Sequence, residues 1–133
     1  MKYKFVTSVL LAGVLLFGGC AKQTKIANEE AYVKLNSMVK DIDFLTGRIE
    51  NATLTLKDSS GNCVFTAPVE EELQTIGNIR FHKSDNVIYY VLSGSVDDQD
   101  GIMFINGAEN GVLGGVKKVE RIGGNYYRYS TYD

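Results

Sequence analysis

The stretch "NEEAYVKLNSMVKDIDFLTGRI", residues 28–49, holds the reading on which the fold turns. Apolar residues recur at Leu35, Met38, Ile42, Leu45 and Ile49, at spacings of 3, 4, 3 and 4, with Val39 beside them. That period matches one face of an α-helix, which turns once in about 3.6 residues. Asn28 suits an amino-terminal cap. Glu29 and Glu30 would then lie in the first turn, where negative charge meets the positive end of the helix dipole. Lys34, Asn36, Lys40, Asp41 and Asp43 fall on the other face, and Gly47 weakens the last turn. The spacing predicts one long helix from about Asn28 to Ile49, laid on a sheet by its apolar face.

Beyond Ala52 the period changes to two. "TLTLKDSSGNCVFTA", residues 53–67, reads as two strands, Thr53 to Lys57 and Asn62 to Thr66, joined by the turn residues Asp58 to Gly61. "TAPVEEELQTIG", residues 66–77, carries helix punctuation: Pro68 for the first turn, Glu70 to Glu72 for the amino end, and Gly77 as a stop. "NIRFHK" sets Ile79 and Phe81 on one face of a strand against Arg80 and His82 on the other, and "VIYYVLS" reads as a central strand. "GIMFIN", "VKKVERI" and "YYRYSTY" complete the run, with the Gly-rich "GAENGVLGG" looping between the first two. The pattern predicts an α+β domain over residues 29–133. In it a long amino-terminal helix packs on an antiparallel meander of roughly four to seven strands, with a second short helix.

The amino end reads differently. Lys2 and Lys4 precede an uncharged, mostly apolar run of 13 residues, Phe5 to Phe17. A bilayer-spanning helix needs about 20, so this length fits the apolar region of a secretory signal peptide. Within "LLAGVLLFGGCAKQ", residues 10–23, the segment Leu16-Phe17-Gly18-Gly19-Cys20 resembles the lipobox of type II signal peptides in bacterial lipoproteins. Phe17 departs from the aliphatic residue usual in that position. The resemblance implies removal of residues 1–19 and a Cys20 that carries lipid and begins the mature chain. It also implies an extracytoplasmic location with the domain anchored to the cell membrane. In a two-membrane cell that membrane would be the outer one, because Ala21 is not the aspartate associated with inner-membrane retention. Two or more acyl chains anchor stably where one holds only marginally. The polar stretch Ala21 to Asn28 would tether the domain within about 29 Å of the lipid, so residues 20–28 form a lipidated cysteine and short tether.

Loss of Lys2 and Lys4 from the 14 basic side chains leaves 12 against 16 acidic, a balance of −4. No basic run remains to track a phosphate backbone, so a nucleic-acid partner is not expected. Cys63 is the second of the 2 cysteines. With Cys20 lipidated it has no intramolecular partner, and it reads as a small core residue.

The patterns that carry chemistry are sparse. His82, the single histidine, lies opposite Ile79 and Phe81 and reads as an exposed strand residue. No nucleophile elbow surrounds a serine, and no phosphate loop leads into a helix. The acidic turn "DDQDG", residues 97–101, suits a hard cation by composition, but a calcium-loop register puts Val96 and Gly107 at ligand positions. A hairpin turn is the better reading. The sequence therefore implies no metal, no cofactor and no catalytic residue.

Tyrosine is concentrated at Tyr126, Tyr127, Tyr129 and Tyr132. Alternation sets Tyr126 and Arg128 against Tyr127 and Tyr129, so one pair is expected in the core and the other at a surface. Tyr126 and Arg128 are the candidate contact residues for an envelope protein or a glycan. The expectation is a non-enzymatic binding or scaffolding lipoprotein. The alternatives are an inhibitor or immunity-type partner of an exported enzyme, and an enzyme acting on cell-wall glycans.

Overall fold

A computed structural model describes residues 28–94, 98–108 and 111–132 of the chain. Cys20, the signal segment, most of the tether and Asp97 lie outside the described residues.

Helix α1 spans Glu29–Val39 and stops there. Its buried face is Ala31, Tyr32, Leu35, Asn36 and Val39, a set with helical spacing that shares only Leu35 and Val39 with the sequence reading. Met38 and Leu45, assigned to the apolar face, are 41% and 44% exposed. Asn28 does not cap through its side chain. Its backbone is left-handed, its carbonyl accepts from the Ala31 and Tyr32 N–H groups, and its Nδ2 donates to the Thr75 carbonyl at 2.9 Å.

The carboxyl end is closed from a distance. Lys83 Nζ donates to the carbonyls of Lys40 and Ile42 at 2.9 and 2.8 Å, meeting acceptors that a helix terminus leaves open. The same ammonium lies 5.3 Å from the Phe44 ring centroid. Asp41 and Asp43 follow, where the dipole disfavours negative charge.

The chain then becomes strand β1, Thr46–Glu50, with alternate residues exposed and buried. Gly47 faces inward. A Cβ there would sit 2.4 Å from the Phe81 ring and 2.8 Å from Leu56, so the ring occupies the space a side chain would take. The 3-4 spacing had joined a three-turn helix, a bend and a strand into one apparent face. The expected long amino-terminal helix is therefore absent and the α+β assignment fails: the domain is mainly β.

The remaining elements are β2 Thr53–Lys57, β3 Cys63–Pro68, α2 Glu71–Gln74, β4 Ile79–Ser84, β5 Val87–Gly94, β6 Gln99–Ile105, β7 Lys118–Gly123 and β8 Tyr126–Ser130. Asn51 and Ala52 both have positive φ between β1 and β2, the twist that a two-residue hairpin requires. Asp58 accepts from the Ser60 and Asn62 N–H groups and holds the β2–β3 turn. Pro68 ends an edge strand instead of starting a helix, a place that does not need its missing N–H. Consequently α2 is a single turn that buries Leu73.

All eight strands form one sheet in the order β3-β2-β1-β4-β5-β6-β8-β7, antiparallel throughout. It is not a simple meander. β1 lies beside β4, and after β6 the chain crosses to the outer edge as β7 before returning as β8.

Helix α1 packs on one face of the sheet. Tyr90 is central there: its ring meets Tyr32, Phe81 and Phe104 at 5.8, 5.0 and 5.7 Å between centroids. Asn36, buried on the same face, is satisfied by Asn106 at 3.0 Å and by the Tyr90 hydroxyl at 3.4 Å. The opposite face carries a smaller cluster of Val87, Tyr89, Met103, Ile105 and Tyr129, with Val112, Val116 and Tyr127 packed against it. Because β5 is covered on both sides here, Val87 to Val91 are buried without alternation. No helix among the described residues is long and apolar enough to cross a membrane.

Candidate binding site

The residues singled out by sequence do not converge. Tyr126 is 9% exposed and belongs to the core under α1. Its ring stacks on Phe104 at 5.0 Å, and its hydroxyl donates to the Glu29 carboxylate, which ties β8 to the first turn of α1. Burial, with Glu29 adding to it, pushes the phenol up to about 12. Tyr126 thus offers no contact surface, and Arg128 is half-buried between its strand partners Ile102 and Glu120. The β8 alternation is as the sequence implies, but both faces of the strand are covered. Tyr126 serves one cluster, and Tyr127 and Tyr129 serve the other.

Cys63 is exposed on edge strand β3, not packed in the core, and its thiol lies 3.5 Å from the Phe65 carbonyl. Of the acidic turn, Asp100 accepts from the Ser93 and Tyr132 hydroxyls, both at 2.9 Å. Among the described residues no group of three or more His, Cys, Asp or Glu side chains is placed to hold a metal. Glu70 and Glu72 both meet Lys34, at 2.5 and 3.2 Å, and link α2 to α1.

What the sheet does bring together lies on the face away from α1. Residues 112–116 cover only its β5, β6 and β8 part. Leu113 anchors this cover by donating its N–H to the Tyr89 hydroxyl at 2.7 Å. Among the described residues nothing covers the β1, β2 and β4 part, and an open groove of about 1240 Å³ runs along the step between the two. Leu113, Gly114, Gly115, Val116 and Lys117 form one wall, and the strands form the floor.

Antiparallel register decides which side chains reach that floor. Arg48 is the direct cross-strand partner of Arg80, and Thr46 is that of His82. Their chain neighbours Gly47, Ile49 and Phe81 point into the core on the other side, so Arg48 and Arg80 rise together into the groove. Arg48 Nη2 lies 3.3 Å from Glu50, and Arg80 Nη2 donates to the Gly94 carbonyl at 3.0 Å. Both guanidinium groups lean toward the same end of the sheet, because Glu50 on β1 and Gly94 on β5 lie at that end in the register.

His82 is half-buried, stacked flat on Tyr89 with centroids 5.0 Å apart and 14° between the rings. Burial holds its pKa below the ordinary 6.5, and the charge on Arg80 adds to that. Tyr129 donates its hydroxyl to Gln99 Oε1 at 3.1 Å, and burial raises its phenol far above the ordinary value.

The charge on this floor opposes that of the chain. Among the described residues the groove is lined by Arg48, Lys57, Arg80 and Lys117, with Glu50 as its carboxylate. The chain as a whole has more acids than bases, 16 against 14. A concave site with one sign of charge and low-dielectric walls concentrates oppositely charged ligands.

Comparison with protein-family models, with curated proteins and with solved structures finds no match.

The groove residues escaped the sequence reading for one reason. Arg48 was placed on a helix, where it has no fixed relation to Arg80. Read as a strand, "TGRIE" puts Thr46, Arg48 and Glu50 on the outward side, as "IRFHK" does for Arg80 and His82. Gly47, a poor helix former beside β-branched Thr46 and Ile49, was the available signal.

Proposed function

We propose that this chain is a membrane-anchored extracytoplasmic lipoprotein whose domain works as a non-enzymatic binding module, with the open sheet groove as its binding surface. The observation that carries the location is the lipobox-like Leu16 to Cys20 behind a short apolar run. The groove supports binding over hydrolysis. Glycoside hydrolysis uses a pair of carboxylates flanking the bond, whereas among the described residues Glu50 is the one carboxylate in this lining and it engages Arg48.

The tether keeps the groove close to the bilayer. Eight residues, Ala21 to Asn28, reach no more than about 29 Å when extended, so a ligand would be met at the membrane surface or in the layer just above it.

Metabolic labelling with a fatty-acid analogue tests the anchor. The wild-type chain is expected to take up label and fractionate with membranes, and Cys20→Ala to lose the label. A Cys20→Ala chain that labels and fractionates like the wild type would sink this reading.

A further inference from the structure

The geometry points to a phosphate-type oxyanion as the ligand of this groove, held between Arg48 and Arg80. This rests on reading the groove as a binding site, and it is independent of the lipid anchor. Three observations carry it.

The first is the pairing itself. Arg48 and Arg80 are direct cross-strand partners on the same face. Like charges placed opposite one another destabilise a sheet, so the arrangement works against the fold unless a third, negative group joins them. Glu50 does so in part, from one side and at 3.3 Å from Arg48. Arg80 meets a backbone carbonyl at the end of β5 instead.

The second is the chemistry of the two forks. A guanidinium presents planar pairs of N–H donors that match phosphate oxygens, and it keeps its charge at any physiological pH. Two such groups leaning the same way suit a dianion with several oxygens better than a singly charged carboxylate. Lys57 and Lys117, on either side of the groove, extend the same field.

The third is the surrounding surface. Thr55 pairs with Arg48 on the side away from the apolar cover, and Thr46 pairs with His82 in the next row. Tyr89 and Tyr129 are buried and contribute hydroxyl edges and packing, with no free ring face for a sugar to stack on. The site is therefore polar and cationic at its floor. That fits a compact anionic group better than an apolar or neutral glycan ligand.

A phosphate monoester of this kind is found free in solution and on membrane lipid headgroups, and the tether would bring the groove within reach of either. The test uses the full chain purified in detergent and follows the arginine Nε–Hε resonances by NMR. Inorganic phosphate is titrated at constant ionic strength against chloride, and a short-chain phosphatidic acid is titrated in parallel. Saturable shifts of Arg48 and Arg80 with phosphate, absent with chloride, are the expected result.

Arg48→Gln and Arg80→Gln are each expected to weaken this binding about tenfold or more, the loss of a charge-assisted contact, while Arg128→Gln leaves it unchanged. Binding to both probes would show that the phosphate group suffices. Binding to phosphatidic acid alone would assign the group to a lipid headgroup. Absence of saturable shifts with either probe overturns the proposal, as does binding that survives both groove substitutions. A silent titration leaves the labelling of Cys20 untouched, so the two readings fail separately.

Discussion

Under α1 the sheet face is closed: Tyr32, Phe44, Phe81, Tyr90, Phe104 and Tyr126 make one run of ring contacts, and Asn36 is held by Asn106 and Tyr90. Behind the same strands, residues 112–116 cover the β5, β6 and β8 part alone, and Arg48 and Arg80 face solvent beside it. The difference follows from alternation. Each strand must put half its residues on each side, and only the α1 side carries aromatic and aliphatic residues all the way from β2 to β6. The second side is apolar where a loop returns to cover it and cationic where none of the described residues does. One face of the sheet thus carries most of the core, and the other carries the groove proposed for ligand contact.

This division can be broken most severely from the helix side. Phe81→Ala removes a ring that meets Phe44, Tyr90 and the backbone of Gly47. It is expected to cost about 3–5 kcal/mol in denaturant unfolding, as large-to-small changes of buried aromatics do. The phosphate response of whatever fraction stays folded should persist, because Phe81 points away from the groove.

Gly47→Ala gives a smaller effect with a diagnostic sign. In a helix, alanine for glycine would stabilise by about 1 kcal/mol. In β1 the new Cβ meets the Phe81 ring at 2.4 Å, and overpacking of this kind costs about 1–3 kcal/mol. A more stable Gly47→Ala protein would contradict the strand.

The smallest effect belongs to His82, at the boundary between the covered and open parts. Burial and Arg80 depress its folded pKa below the ordinary 6.5, so the unfolded chain binds its proton more readily. The sign follows directly. The neutral ring supports the fold above pH 6.5, and that contribution is lost as pH falls from 6.5 through the depressed folded value. Unfolding midpoints measured through this window should fall with pH in the wild type and fall less in His82→Gln.

Much of the β framework was legible in the sequence, because alternation and turn chemistry are local. The two strands around Asp58 to Gly61, the outward placement of Arg80 and His82, and the opposed sets on β8 all follow from a period of two. The end of α1 was not legible. Its closing partner is Lys83, 43 positions away from Lys40, and the residues after it, Ile42, Leu45 and Ile49, fell by coincidence on the helical period. Tyr126 could not be assigned a side because its partners, Phe104 and Glu29, come from β6 and α1. Cys63 read as a core residue for a similar reason. Its neighbours look strand-like, but only the sheet order makes β3 an edge.

The groove was the least legible feature. It depends on β1 pairing with β4 across the β2–β3 hairpin and α2, and that pairing alone sets Arg48 opposite Arg80. If the open face is kept for an anion at some expense in stability, removing one member of the pair should relieve repulsion as it removes the ligand site.

Thermal unfolding of wild type and Arg80→Gln, with and without inorganic phosphate at one ionic strength, reads both at once. The account predicts that Arg80→Gln is at least as stable as wild type without phosphate, by up to about 1 kcal/mol, and needs about tenfold more phosphate, or higher, for the gain the wild type shows. An Arg80→Gln protein that is less stable than wild type and is stabilised by the same phosphate concentrations would contradict it.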